Sequence, residues 1–141
     1  MKSRTKARSI ALQVLYEYDL TGHSPSILLE QRFGDEQFDE NLKNFSQNIV
    51  SGIVPIILKM DAVIAHHAPE WPLDQVASID RNIIRIALWE FAIEQCTPVK
   101  VAINEAIELA KVFGSDSTPR FVNGVLGSLA DQQVEIHNSF K

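Results

Sequence analysis

The chain has 141 residues, of which 45% are hydrophobic and 22% are charged, as expected for one globular domain. Its formal net charge of −5 argues against a protein that coats nucleic acid non-specifically. Its single cysteine, Cys96, excludes an intramolecular disulfide and favours a reducing compartment. We find neither an apolar run of the ~20 residues needed to span a bilayer nor an apolar signal segment. We therefore expect a soluble, cytoplasmic protein.

Glycine and proline divide the first half of the chain into segments with helical periodicity. Ser3 can cap the first helix, and Gly22 and Gly34 are placed to end the first and second. Pro55 should break or restart the third helix, because proline removes a hydrogen bond and clashes one turn back. The predicted helices cover about residues 3–20, 25–33, 38–54 and 55–67.

The second half carries the most apolar pattern. Ser78 can cap a helix whose wide apolar arc reaches Phe91, and we expect this helix to be the central and most buried one. The next helix begins at Thr97-Pro98 and places a small side chain every four residues, which lets another helix approach closely. These small residues are Ala102, Ala106 and Ala110.

The last part of the pattern concerns helix ends. Gly114 is placed to stop the alanine helix in a left-handed cap, and Thr118-Pro119 resembles a new cap with proline at the first helical position. The last helix should fray into a polar tail near Ile136. About seven helices with short connections, and no convincing strand, predict an all-α fold.

Charge is unevenly distributed along the chain. The first eight residues carry four cations and no acid, whereas the rest carries nine basic against 18 acidic residues. This asymmetry indicates a local anion-binding patch, although a merely solvated N-terminus fits it equally well. Arg4 and Arg8 share a helix face that Tyr16 flanks. Cations beside a ring suit single-stranded nucleic acid, but a tyrosine at this spacing is also typical of a core.

A second charged group lies at the start of the central helix. Asp80 there interacts favourably with the helix dipole, which is a sufficient structural reason for it. Arg81 and Arg85 are like charges one turn apart, so they need an acid from elsewhere. That acid can be internal or belong to a partner protein, and we favour the internal one.

No pattern indicates an active site, a metal or a cofactor. Glu105 lacks a partnering acid or histidine, and the adjacent Asn104 is better explained as a buried residue that bonds a neighbouring helix. His66 and His67 are adjacent, so on a helix they point about 100° apart and cannot chelate together. We therefore expect a non-enzymatic protein.

Three stretches, in this order, resemble the NusB family of bacterial transcription antitermination factors. The first, over residues 4–19, is similar to the family's basic first helix. The second covers residues 79–90, beginning Ile79-Asp-Arg-Asn-Ile-Ile-Arg85. The third is highly specific and reads Ile103-Asn-Glu-Ala-Ile-Glu-Leu-Ala-Lys111, then Phe121-Val-Asn-Gly-Val-Leu126. The resemblance covers essentially the whole chain, with these stretches as its anchors.

The resemblance implies two packed small helical bundles, over about residues 1–68 and 72–141. It also implies binding of boxA, a short single-stranded RNA element, together with NusE, a small-subunit ribosomal protein. The complex would help RNA polymerase resist termination, notably on ribosomal RNA operons. The implied RNA-contacting residues are Arg4, Lys6, Arg8, Tyr16, Phe121 and Asn123, and the implied NusE-facing residues are Asp80, Arg81 and Arg85.

Two other functions remain open. NusB-like domains also occur fused to ribosomal RNA cytosine methyltransferases, so the chain could be an accessory domain of that kind. It could instead be a protein-interaction or dimerisation module that does not bind RNA. The sequence does not decide between a monomer and a homodimer.

Overall fold

The computed structural model describes residues 2–34, 38–72 and 75–141, and this part of the chain contains helices and no β-strand. The predicted all-α fold is confirmed. A 3-10 turn (Val54–Ile56) and a π-helical turn (Trp89–Ile93) accompany the α-helices. In chain order these are α1 (Ser3–Thr21), α2 (Pro25–Phe33), α3 (Glu40–Ile53), α4 (Ile57–His67), α5 (Ser78–Leu88), α6 (Val99–Phe113), α7 (Thr118–Ala130) and α8 (Gln133–Ser139).

The ends of α1 and α2 follow the sequence, but several helix starts do not. Gly22 has φ of +72° and its N–H bonds the Tyr18 carbonyl, which is the predicted left-handed cap. Ser3, Ser78 and Thr118 are the first residues of their helices rather than caps, so those cap predictions are wrong. The hydroxyls of Ser78 and Thr118 serve longer-range contacts instead, with Asp19 and Asp80 respectively.

Helices α3 and α4 form one nearly continuous rod. The 3-10 turn at Pro55 accommodates the proline, so the predicted break is only a tightening of the helix. By length and composition alone, Glu40–His67 could cross a membrane, contrary to our expectation from the sequence. Core helices of soluble proteins meet the same criterion. One side of the rod packs into the interior through Ile49, Ile53, Met60 and Ile64.

Helix α5 lies at the centre of the packing, as predicted. Every residue from Asn82 to Leu88 is buried, and α5 contacts α1, α6 and α7. The alanine ridge of α6 is also buried, which confirms that this face receives a close neighbour. One hydrophobic cluster runs through both halves of the chain, so the division into bundles at about residues 68–72 remains a prediction.

The C-terminus is more ordered than the sequence indicates. Helix α8 follows α7 after a short turn, and its Ile136 is fully buried in the hydrophobic cluster. Gln133 donates to the Phe91 carbonyl at 2.7 Å, which ties α8 to the π-helical turn. The expected fraying near Ile136 is therefore wrong, because this apolar side chain, the packing of Phe140 and the bond from Gln133 together dock the short helix.

Gly114 ends α6 for a reason other than the predicted one. Its φ of −93° and ψ of −174° are extended, so no left-handed cap forms. A Cβ built at Gly114 would lie 2.5 Å from side-chain atoms of Thr118. The Thr118 hydroxyl is fixed there, since it accepts from the Ser115 N–H and donates to Asp80. Glycine is required by this close approach.

We expect Gly114→Ala to lower the free energy of unfolding by about 1–3 kcal/mol, as is typical of overpacking. Gly127→Ala is the matched control, because a Cβ at this position of α7 meets nothing within 4 Å. That substitution should stabilise the protein by about 0.5–1 kcal/mol through helix propensity. Urea denaturation followed by circular dichroism measures both, and equal effects would contradict the close-approach explanation.

Candidate nucleic-acid interface

Two cations of the N-terminal patch lie on the exposed surface of α1, each beside a ring. Arg4 is exposed, and its guanidinium carbon lies 5.0 Å from the ring centroid of Phe45 on α3. Lys6 is exposed as well, with its ammonium 5.3 Å from the centroid of Phe38. Arg4 therefore remains available to a negatively charged ligand while the aromatic ring restricts its position.

Arg8 differs from its neighbours because it points into the protein. It is 2% exposed, and its Nε and Nη2 donate to the two carboxylate oxygens of Glu90 at 2.9 and 2.7 Å. Glu105 of α6 lies 3.5 Å from its Nη1. The expectation that Arg8 contacts RNA directly is corrected here, since a guanidinium enclosed by two carboxylates cannot reach a bound strand in this conformation.

The two acids that meet Arg8 are themselves held in place. Thr97 donates to Glu90 at 2.7 Å, and Thr5 donates to Glu105 at 2.8 Å. The cluster thus joins α1, the π-helical turn and α6 through charge-assisted hydrogen bonds. A buried ion pair is tolerated only when its remaining donors and acceptors are satisfied in this way.

A second ionic cluster fixes the opposite end of α1. Asp19 accepts from Arg85 at 2.8 Å, from Asn82 at 2.9 Å and from Ser78 at 3.2 Å. Arg85 also makes a bidentate pair with Asp61 of α4, at 2.9 and 2.6 Å. Burial alone would lower the pKa of the Arg85 guanidinium, but Asp61 and Asp19 together raise it above its ordinary value.

This second cluster shows where the two arginines predicted to face NusE, Arg81 and Arg85, lie. Arg85 is 3% exposed and paired with acids of the same chain, so the expectation that it faces NusE is corrected in favour of the internal partner. Arg81 is half-buried, and its Nη2 lies 3.8 Å from Asp19. Only Arg81 of the two retains exposed surface for a partner.

The predicted aromatic contacts are not enclosed in the core. Tyr16 and Phe121 are both half-buried, and Asn123 is exposed on α7. Phe121 lines an open cavity of about 670 Å³ together with Trp71, Arg120 and Asp80. The structure therefore brings a predicted RNA residue and a predicted NusE residue, Phe121 and Asp80, to one depression.

Sequence reasoning missed several residues of this surface. Trp71 and Arg120 line the cavity with Phe121, and Phe45 lies against Arg4, yet none belongs to a local motif that would mark it. The position of Glu90 could have predicted a buried ion pair, because a carboxylate within an apolar helical run needs a partner when it is buried. The expectation of a buried Asn104 is wrong, since Asn104 is exposed and Glu105 makes the interhelical contact instead.

The described part of the surface offers cations and aromatic rings rather than a cluster of metal ligands. Among residues 2–34, 38–72 and 75–141, no group of three or more His, Cys, Asp or Glu is placed to hold a metal ion. What the surface does present is exposed cations on α1 and partly exposed rings on α1 and α7. These features define an all-helical protein whose surface suits a single-stranded nucleic acid.

The comparison with known families agrees with this class. A sequence model described as the NusB family matches residues 5–131, and the chain belongs to that family. It is 42% identical over 134 residues to the transcription antitermination protein NusB of Roseiflexus sp. (strain RS-1), covering 94% of each chain. It is also 42% identical over 136 residues to the protein of that name from Dehalococcoides mccartyi (strain CBDB1), covering 96% of this chain and 95% of the relative.

Solved structures show the same fold. The chain resembles NusB of T. maritima with a TM-score of 0.83 and 29% identity, over 92% of both chains. It also matches a chain in a crystal structure of the antitermination factors NusB and NusE in complex with dsRNA, with a TM-score of 0.81 and 24% identity. That match covers 99% of this chain and 98% of the other.

The structural role of Arg8 can be tested through its partner. Glu90→Gln removes the charge that balances the guanidinium, and we expect it to lower the free energy of unfolding by about 3 kcal/mol. The double variant Arg8→Met/Glu90→Leu removes both charges together and should recover most of that loss. Urea denaturation measures the stability of both variants. Glu108→Gln is the control, because it removes one charge of the exposed Lys111–Glu108 pair and should hardly change the free energy of unfolding.

The same double variant tests whether Arg8 touches RNA. If the folded double variant binds a boxA-type RNA with the salt slope of the unmodified protein, Arg8 makes no phosphate contact and acts inside the fold. A salt slope reduced by about one phosphate contact would contradict the internal role.

Proposed function

We propose that the protein is a non-enzymatic transcription antitermination factor. It binds a boxA-type single-stranded RNA together with NusE and thereby helps RNA polymerase resist termination on ribosomal RNA operons. The observation that carries the proposal is membership of the NusB family, with relatives named as transcription antitermination proteins matched over almost the whole chain. A chain of the same fold occurs with NusE in a complex with dsRNA, which is compatible with NusE as a partner. Such a factor acts in the cytoplasm, where bacterial transcripts are made.

The surface described above supplies a physical mechanism. Exposed cations of α1 neutralise phosphates and release counterions, which favours capture of an anionic strand. Half-buried rings at Tyr16 and Phe121 offer faces on which unpaired bases can stack. Because the rest of the chain is acidic, an RNA strand is repelled elsewhere and directed to this face.

Two alternatives are less favoured. A protein-interaction module without RNA binding would not need exposed cations beside partly exposed rings. An accessory role related to RNA cytosine methyltransferases is not favoured by relatives named as antitermination proteins that the chain covers almost completely. Fluorescence anisotropy with a labelled boxA-type RNA, with and without NusE, separates the first alternative from the proposal.

We expect Arg4→Ala to weaken RNA binding and to reduce the slope of log affinity against log salt by about one phosphate contact. Tyr16→Ala should also weaken binding, by about 1–3 kcal/mol for a lost stacking platform, but leave the salt slope unchanged. Lys59→Ala is the control, because it removes an exposed cation from α4 rather than from α1. Equal salt slopes for the Arg4 and Tyr16 variants would refute this division of roles.

We expect Asp80→Lys to impair NusE binding, because it reverses a charge at the rim of the cavity. Asp80 accepts from Thr118 at 3.1 Å, so Asp80→Asn, which can still accept that bond, controls for the local structure. Co-purification with NusE gives the readout, and RNA anisotropy of the isolated chain runs in parallel. A variant that binds NusE normally but loses RNA would reverse our assignment of Asp80.

A further inference from the structure

A cleft lies beside Arg4, on the α3 side of α1. It has a volume of about 470 Å³ and is lined by side chains of α1, α3 and the π-helical turn with the segment that follows. We call it the Arg4 cleft. Its lining includes Arg4, Phe45, Asn48, Trp89, Glu94 and Cys96.

Phe45 determines where the charge of this cleft lies. The guanidinium carbons of Arg4 and Arg8 are each 5.0 Å from the centroid of its ring. Arg8 is neutralised by Glu90. No carboxylate within residues 2–34, 38–72 and 75–141 forms an ion pair with Arg4. The ring therefore holds the positively charged Arg4 side chain, which has no ion-pair partner among the described residues, at the mouth of the cleft. Because this side chain is already restricted, it loses little conformational entropy when a ligand binds.

The other lining groups suit a nucleotide. Asn48 and Ser51 are exposed polar residues of α3, and an amide can both donate to and accept from the edge of a base. The exposed carboxylate of Glu94 cannot bind phosphate, but it can accept from an exocyclic amino group. The aromatic wall of Phe45 and Trp89 completes a site with charge, polar groups and apolar surface.

We propose that the Arg4 cleft is a further subsite for the single-stranded RNA, in which Phe45 positions Arg4 to bind a phosphate. This inference rests on the RNA-binding function proposed above and extends the contact surface from α1 onto α3. In this description Phe45 is a positioning residue that acts through Arg4. An RNA long enough to reach the cleft binds there in addition to its contacts with Tyr16 and Phe121.

The single cysteine provides a direct probe, because Cys96 is exposed and lines the same cleft. Alkylation of its thiol by iodoacetamide is followed by mass spectrometry, without RNA and with a boxA-type RNA at a concentration that saturates the anisotropy signal. We expect saturating RNA to slow alkylation at least several-fold. In Arg4→Ala, the rate without RNA should stay the same and the protection by RNA should largely disappear.

The role of Phe45 is tested by a double-mutant cycle with Arg4. Phe45→Leu should weaken RNA binding about two- to five-fold, the equivalent of an exposed cation–π contact of ~0.5–1 kcal/mol. Phe45→Tyr keeps a ring and should bind like the unmodified protein. In the Arg4→Ala background, Phe45→Leu should have no further effect, whereas a general loss of structure would weaken binding in both backgrounds.

The outcomes separate this inference from the function on which it rests. RNA that binds in the anisotropy assay but leaves Cys96 fully reactive would overturn the subsite and leave the antitermination role intact. Protection of Cys96 by NusE alone and not by RNA would also overturn it, since the cleft would then receive protein. Absence of any RNA binding, with and without NusE, would overturn the subsite and the proposed function together.

Discussion

The buried ion pair between Arg8 and Glu90 is the constraint on which the rest of the surface depends. It joins the first helix to the π-helical turn at the end of the central helix, and Glu105 brings the alanine helix to the same point. Removal of Arg8 would leave Glu90 desolvated without its cation, and removal of Glu90 would leave Arg8 only its longer contact with Glu105. Either loss is more costly than the loss of an exposed ion pair. The pair thus fixes the orientation of α1, and with it the direction in which Arg4 and Lys6 leave the protein.

Cations of this chain fall into two groups with different tasks. Arg8 and Arg85 are neutralised inside by acids from distant segments and hold helices together. Arg4 and Lys6 stay exposed beside the rings of Phe45 and Phe38. The net acidity of the chain is compatible with RNA binding because interior arginines neutralise several of the acids, while Arg4 stays exposed beside a ring on the face that we propose for RNA.

The sequence was sufficient to predict the main helices, but it could not predict which distant side chains form ion pairs with each other. Helical periodicity correctly predicted α1, the buried central helix and the alanine ridge, because these depend on spacing within one segment. Arg8 and Glu90 are 82 residues apart, and Arg85 and Asp61 are 24 apart, so no spacing rule could pair them. The exposed site was therefore predicted only in part. Arg4 and Lys6 lie on the surface as expected. Arg8 was predicted to be exposed only because it lies four residues from Arg4 on the same helix face.

Exposed and buried arginines should respond differently to RNA, because only the exposed ones can meet a phosphate while the buried ones support the fold. Arginine side-chain Nε–Hε signals in NMR spectra, recorded during titration with a boxA-type RNA, test this difference most directly. We expect a large change for Arg4, with Arg8 and Arg85 remaining protected from solvent exchange and unshifted. A large shift or loss of protection at Arg8, with Arg4 unchanged, would contradict it.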